Sequence, residues 1–475
     1  MLFRSLRARF IAGAENGSFS GFGLYEDSPL PVRKLYAKGM LDIAGRGLRI
    51  DALNIDMDGP KAATRALVEF KDGKYDVTVQ GELTQTPMDD LARYWPAHLT
   101  PDPRWWVTTH LSKGVATKAT IDAAFAINPA PAEGEKKLAM HKLGGVIDFE
   151  GIKVDYFPPL MPVENVRGQA TYNTERFDLA LTGGTLGDMK VSKSTIAITD
   201  LDHHEPDKDI DIDIQVSLSG PVKTALEVLD AKPLGYPKML GINTADVKGQ
   251  ADVDVSFKFP IHRKLHISEV QVTAAAKLTD MLLPQMVSGM DVTGGPMDLR
   301  VDNGALHVSG SGRLADMPMT FDWTKNFDLK KSFDSSVTAE LTLDDAARRR
   351  FGVPAAAGLM GPLPSKVIYK LEHDARATLD LTADLTPASM SIEDIGYTKA
   401  AGTKGSAAMR IHLLKGAPEK IENISVEAAG LVLRGDADIR GGILRKATFP
   451  TAMWGQTQAA IDIENKDSAG YVVHI

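Results

Sequence analysis

Five residues from His203 to Asp207 (H-H-E-P-D) bring together two imidazoles and two carboxylates, the side chains that hold divalent metals. They stand in a strongly acidic turn ahead of Asp209 and read as a solvated loop. His262 and His266 are four apart, but they flank a proline-led turn and a strand and so share no helix face. Gly183-Gly184 with Gly187 lacks the Lys-Ser/Thr and the following helix of a phosphate loop, and reads as a turn. Gly310-Ser311-Gly312 reads as a turn or bulge, and no G-x-S-x-G elbow occurs. The chain has no cysteine, which excludes a thiolate metal site, a disulfide scaffold and a cysteine nucleophile. An all-β carbohydrate-active enzyme would need two carboxylates across a cleft, and nothing marks such a pair. The expectation is a protein without enzymatic chemistry, cofactor or metal.

The elements that would position any site are strands. From Ile210 to Ser219 the sequence I-D-I-D-I-Q-V-S-L-S places Ile210, Ile212, Ile214, Val216 and Leu218 on one face of an extended strand. The carboxylates and other polar groups fall on the opposite face, which must therefore see water. Similar alternation recurs over Leu48–Met57, Tyr75–Leu83, Phe177–Leu181, Thr195–Ile198, Ala251–Phe259, Leu379–Leu385, Ile424–Ala428 and Ala459–Ile463. Met297–Val301, Asp302-Asn303-Gly304 and Leu306–Gly310 read as a hairpin. Helical signals are few: a Thr86 cap with Pro87 opens 87–95, Pro221 opens 221–231, and Asp344 opens 344–351. Each is followed by a proline-containing loop and another long strand. The spacing of somewhat over 100 residues reads as a super-repeat of strand meander plus short helix. About 30 strands at ~4.8 Å would extend on the order of 140 Å, so the sheet should twist and curl. The fold class expected is mostly β: an elongated, strongly twisted antiparallel sheet curled into an open trough.

Hydrophobic residues make up 43% and charged residues 24%, as in ordinary folded proteins. The net charge of −8, with no basic stripe, argues against nucleic acid as a partner. No run of 18 apolar residues exists, so no segment reads as a membrane-spanning helix. The first residues, M-L-F-R-S-L-R-A-R-F-I-A, are too broken for a secretion signal, and both ends read as cut from a longer chain.

Tyr94-Trp95-Pro96, Arg104-Trp105-Trp106-Val107 and Leu111-Ser112-Lys113-Gly114 together resemble a pattern of the AsmA-like superfamily, in its YhdP-related branch. Ser219-Gly220-Pro221, Leu226, Leu229, Lys248-Gly249, Phe259-Pro260 and the segment Leu306–Trp323 agree with it in order and spacing, so the resemblance covers nearly the whole chain. It implies a periplasmic protein, anchored in the inner membrane by a helix outside this sequence, similar to the bridge-like lipid transfer proteins of Gram-negative bacteria. Phospholipid would be the ligand, and the inner and outer membranes the partners at its two ends. Three groove segments are expected: 1–128, 129–260 and 261–475. The groove lining expected from polarity is Ile210, Ile212, Ile214, Val253, Val255, Phe257, Leu299, Val301, Leu306, Val308, Leu379 and Leu381. A 16-carbon tail wetted at about 0.8 kcal/mol per CH₂ costs roughly 13 kcal/mol, which a continuous apolar face removes without catalysis.

Several residues carry a structural reading. Trp95, Trp105 and Trp106 are expected to pack the first helix onto the sheet, although indole also suits lipid headgroups. Arg348-Arg349-Arg350 is expected to be a solvated helix face. The dense methionines Met281, Met286, Met290, Met297, Met317 and Met319 suit either a surface that accommodates varied chains or ordinary gap filling. The competing function is an envelope assembly factor that binds outer-membrane β-barrel proteins by strand pairing.

Overall fold

The computed structural model describes residues 7–20, 29–95, 100–130, 138–201, 210–232, 234–261, 265–287, 289–351, 358–466 and 470–475. The His203–Asp207 cluster and His262 lie outside them. Among the described residues strand accounts for 68% and helix for 10%, in one large antiparallel sheet that does not close into a barrel. The period-2 patterns are the cause: each gives a strand one wettable face and one apolar face, and antiparallel neighbours extend both.

The chain divides into two compact units, 1–236 with 253–272, and 237–252 with 273–475. The first holds β1 (Arg7–Phe19), β2 (Leu30–Asp42), β3 (Gly47–Asp56), β4 (Lys61–Lys71), β5 (Lys74–Pro87), β6 (Leu111–Ser112), β7 (Val115–Ile127), β8 (Leu138–Val154), β9 (Val163–Asn173), β10 (Arg176–Leu186), β11 (Met189–Val191), β12 (Ser194–Thr199), β13 (Ile210–Pro221) and most of β14 (Lys248–Ile261). Its strands pair as a meander from β1 to β5, then through β7, β8, β9, β10, β12 and β13.

Most of the second unit is β15 (Gln271–Val287), β16 (Met290–Gly294), β17 (Met297–Val301), β18 (Ala305–Leu314), β19 (Met317–Asn326), β20 (Ser335–Leu343), β21 (Leu363–Leu371), β22 (Arg376–Asp384), β23 (Met390–Ile392), β24 (Tyr397–Lys399), β25 (Gly405–Leu414), β26 (Ala417–Ala428), β27 (Leu431–Arg440), β28 (Ile443–Trp454), β29 (Thr457–Asn465) and β30 (Tyr471–His474). From β15 the meander runs through β17 to β22 and on through β25 to β30. The β23–β24 hairpin pairs only with itself.

The three expected helical inserts are present. A 3-10 turn over Met88–Asp90 leads into α1 (Leu91–Tyr94), and α2 (Pro101–His110) follows; α3 (Val222–Asp230), the short α4 (Tyr236–Met239) and α5 (Asp345–Arg350) come later. Asp344 caps α5, its Oδ1 accepting from the Ala347 N–H at 2.8 Å. Thr86 does not cap the first insert. It still pairs in β5 with Ala116, and its buried hydroxyl finds no partner. The expected hairpin forms, but through Asp302, whose Oδ1 accepts from the N–H groups of Gly304 and Ala305.

Glycines on the apolar face sit under aromatic rings. Gly39 pairs with Phe10 across β1 and β2, and a Cβ there would lie 2.8 Å from the Phe10 ring. Gly435 in β27 holds the same relation to Phe449, at 2.7 Å, and Gly145 to Tyr172. Each ring lies down over the neighbouring strand because no side chain holds it off.

Candidate functional site: an uncovered apolar face

Register turns alternation into rows. In the first unit, cross-strand partners place Ala14, Leu35, Ile55, Ala62, Leu83, Ala119, Ile147, Ala170, Leu179, Ile196 and Ile214 in one unbroken line over eleven strands. One residue along, on the opposite face, the line reads Glu15, Lys34, Asp56, Lys61, Thr84, Lys118, Asp148, Gln169, Ala180, Thr195 and Gln215. Ten of these eleven are polar, and Gln169 donates to Asp148 at 2.7 Å. The second unit repeats the arrangement over thirteen strands: Ala276, Leu299, Val308, Trp323, Val337, Tyr369, Leu379, Ile411, Ile421, Ala437, Ala447, Ile463 and Val473. Its polar face carries the Arg410–Asp380 fork, at 2.6 and 3.0 Å. Arg410, as hydrogen-bond donor, holds the Asp380 carboxyl below its ordinary range.

The residues expected to line a groove fall on these apolar faces. Ile212 and Ile214 pair with Ile198 and Ile196, and Ile210 shares their side. Leu299, Val308 and Leu379 stand in the thirteen-strand row; Val301 and Leu306 pair on the row beside it, and Leu381 pairs with Val367 on the other side. Val253, Val255 and Phe257 alternate with Asp254 and Lys258. Asp254 accepts from the Ser217 hydroxyl at 2.5 Å, and Lys258 lies 2.8 Å from Asp213, both on the polar face of β13. Leu306 and Val308 are buried; the other ten are half-buried.

Half-burial is the mark of a face flanked by neighbours but not roofed. Close backbone neighbours are sheet partners, helical inserts beside one another, or an insert and the strand it joins, and the named strands form one continuous sheet apart from the β23–β24 hairpin. The large sheet is a single continuous one and most residues of its apolar rows are half-buried, unlike the sealed faces of an ordinary two-sheet sandwich.

Cover exists along one margin. In the first unit Tyr94 packs with Leu30, Val32, Ile55 and Met57, while Leu91 and Val107 pack on Met88, Ile152 and Val166. In the second unit, Leu359 and the β23–β24 hairpin close over Leu363, Leu385, Ala428 and Leu431. Two buried cations pin this cover. Arg348 donates to the carbonyls of Leu343, Leu359 and Gly361 and pairs with Asp345. Lys399 donates to those of Leu385 and Ala388, each at 2.7 Å. Arg348 is thus not part of a solvated face: the carbonyls of Leu343, Leu359 and Gly361 hold it inward, while Arg349 and Arg350 stay exposed.

The tryptophans also depart from expectation. Trp95 is half-buried, but Trp105 is 63% exposed and Trp106 41%, both against the ring of His110. Val107, not either indole, anchors α2. Met281, Met297 and Met317 are buried and Met286, Met290 and Met319 half-buried. A hollow of about 1070 Å³ lies on the polar face of the second unit beside the Lys366–Glu340 pair, and one of about 340 Å³ lies on that of the first. Twisted sheets are saddle-shaped, so both faces can carry shallow concavities. No group of three metal-ligand side chains, and no helix long and apolar enough to cross a membrane, occurs among the described residues.

Fold and site define a class: a long antiparallel sheet with one wet face and one apolar face left open. Within that class the family is assigned by sequence, since the YhdP protein family matches residues 16–414 and the chain belongs to it. No curated protein and no solved structure matches.

Proposed function

We propose that this chain is a periplasmic segment that conducts phospholipid acyl chains along its apolar sheet face between the inner and outer membranes, in support of outer-membrane lipid homeostasis. One observation carries the reading: apolar rows run unbroken over eleven and thirteen strands and most of their residues are half-buried, so hydrocarbon can complete the cover that protein does not provide. Family membership agrees with it. Tails moving along such a face stay out of water, and the work needs no catalytic residue.

The test places a charge on each face of one strand. Val255→Asp puts a carboxylate among the apolar rows, and Asp254→Lys alters only the wet side. Native mass spectrometry of gently purified protein should find phospholipid on the parent and on Asp254→Lys, with loss from Val255→Asp. Lipid retained by Val255→Asp, or absent from the parent, refutes the proposal.

A second reading, strand pairing with outer-membrane β-barrel proteins, rests on β1. Twelve of its thirteen residues pair with β2 along one edge, and eleven of the thirteen are exposed. It predicts capture of barrel proteins, lost on Ile11→Pro, with no lipid bound.

A further inference from the structure

We infer that the notch formed by Lys325, Asp334 and Ser335 holds the headgroup of a zwitterionic phospholipid whose tails lie on the apolar face of the second unit. This deepens the proposed function and rests on it. The row beside the thirteen-strand line reads Ala274, Val301, Leu306, Lys325, Ser335, Leu371, Ala377 and Leu413. Lys325 and Ser335 are direct cross-strand partners and interrupt an otherwise apolar row. A cation on such a face is costly unless it is paired; Asp334 supplies the pair and leaves at least one ammonium N–H for a ligand.

The notch has the groups a headgroup needs. Lys325 Nζ lies 2.6 Å from both carboxylate oxygens of Asp334, which occupies two of its three N–H donors at most. The Ser335 hydroxyl accepts from the Trp323 indole N–H at 2.8 Å and keeps its own hydrogen to donate. A phosphate can therefore take one N–H from Lys325 and the Ser335 hydroxyl, while Asp334 attracts a headgroup ammonium. Lys325 and Asp334 side chains are each 22% exposed, so the pair is reachable. His373 faces Asp334 at 3.8 Å and is held by the Lys331 carbonyl. The charges of Lys325 and Asp334 cancel, and the notch offers one group of each sign, which favours a zwitterion over an anionic headgroup.

The span along the strand fits a tail. From Ser335 to Leu341, the last position before the covered margin at Leu343, six residues rise about 20 Å. One leaflet of a ~30 Å hydrocarbon core is about 15 Å. A lipid with its head at the notch can thus lay its tails along β20 and its neighbours and end where the insert closes over the sheet.

The test offers the full chain an equimolar mixture of phosphatidylethanolamine and phosphatidylglycerol with identical tails. Bound lipid is extracted and counted by mass spectrometry. The parent should enrich the zwitterion by about tenfold, the worth of one added charge-assisted contact. Lys325→Gln with Asp334→Asn should bring the ratio to about one with total lipid unchanged, and Lys325→Arg should keep the preference. If the double variant misfolds, the unaltered protein decides: the Trp323 indole N–H resonance should shift with phosphatidylethanolamine but not with the matching diacylglycerol or with inorganic phosphate. Lipid bound without headgroup preference, a preference that survives the double variant, or an unmoved Trp323 resonance overturns the notch and leaves tail conduction standing. A parent that binds no lipid overturns both.

Discussion

Within the second unit, the same strands meet two fates. Near Leu343, Leu363 and Leu385 the apolar face is sealed by the α5 segment and the β23–β24 hairpin, and Leu363 and Leu385 are 5% and 3% exposed. A few residues back along the same strands, Val337, Val367 and Leu379 have comparable chemistry and stay half-buried. The difference does not lie in the strand sequences. It lies in whether another segment crosses over them, and that segment needs buried cations to satisfy the carbonyls it brings. An apolar sheet face is thus either core or surface according to its inserts.

Removing the pins should break the comparison most sharply. Arg348→Ala strips donors from three carbonyls and should cost about 3–5 kcal/mol in urea unfolding, the range for breaking a buried ionic contact. Hydrogen exchange should then report opening at 343–351 and 358–363, with the half-buried rows unchanged. Next comes truncation on each side of the boundary. Leu385→Ala should cost about 3 kcal/mol, as for a buried leucine, and Leu379→Ala about 1 kcal/mol, because less apolar area returns to water. Equal costs would mean that the row at Leu379 is roofed after all. The smallest effect belongs to the polar face. Arg410 holds the Asp380 carboxyl below its ordinary value of 3.8, so the pair's stabilisation is complete above about pH 4 and lost as pH falls through the lowered value. Arg410 is exposed and Asp380 keeps about a third of its side chain in water, so a double-mutant cycle at pH 7 should give a coupling of about 0.5 kcal/mol, shrinking as pH falls below 4 and in high salt.

Much of this was legible in the chain. Alternation located the strands and their faces because a wet face tolerates Asp209 to Asp213 only on one side, and proline and aspartate marked the inserts. Bulges were not legible. Asn423 takes a positive φ and drops out of pairing, so apolar positions run Ile421, Ile424, Val426, and a strict count of two loses phase there. Gln85 does the same in β5, which is how Thr86 comes to be buried with no partner. Arg348 was hidden for another reason. Three arginines in a row look solvated, and what draws the first inward is a set of backbone carbonyls from a loop eleven to thirteen residues later. The notch at Lys325 needed register, since its meaning lies in Leu306 and Ser335 on either side.

The rings that lie flat over Gly39, Gly145 and Gly435 have a consequence for traffic. A bare glycine on this face would present peptide dipoles, ordered water would collect on them, and each passing methylene would have to displace it. Aromatic carbon laid over those peptides leaves no such foothold. On the proposed function, a tail crossing Phe10, the Tyr172 ring or Phe449 would meet aromatic carbon in place of bare peptide groups.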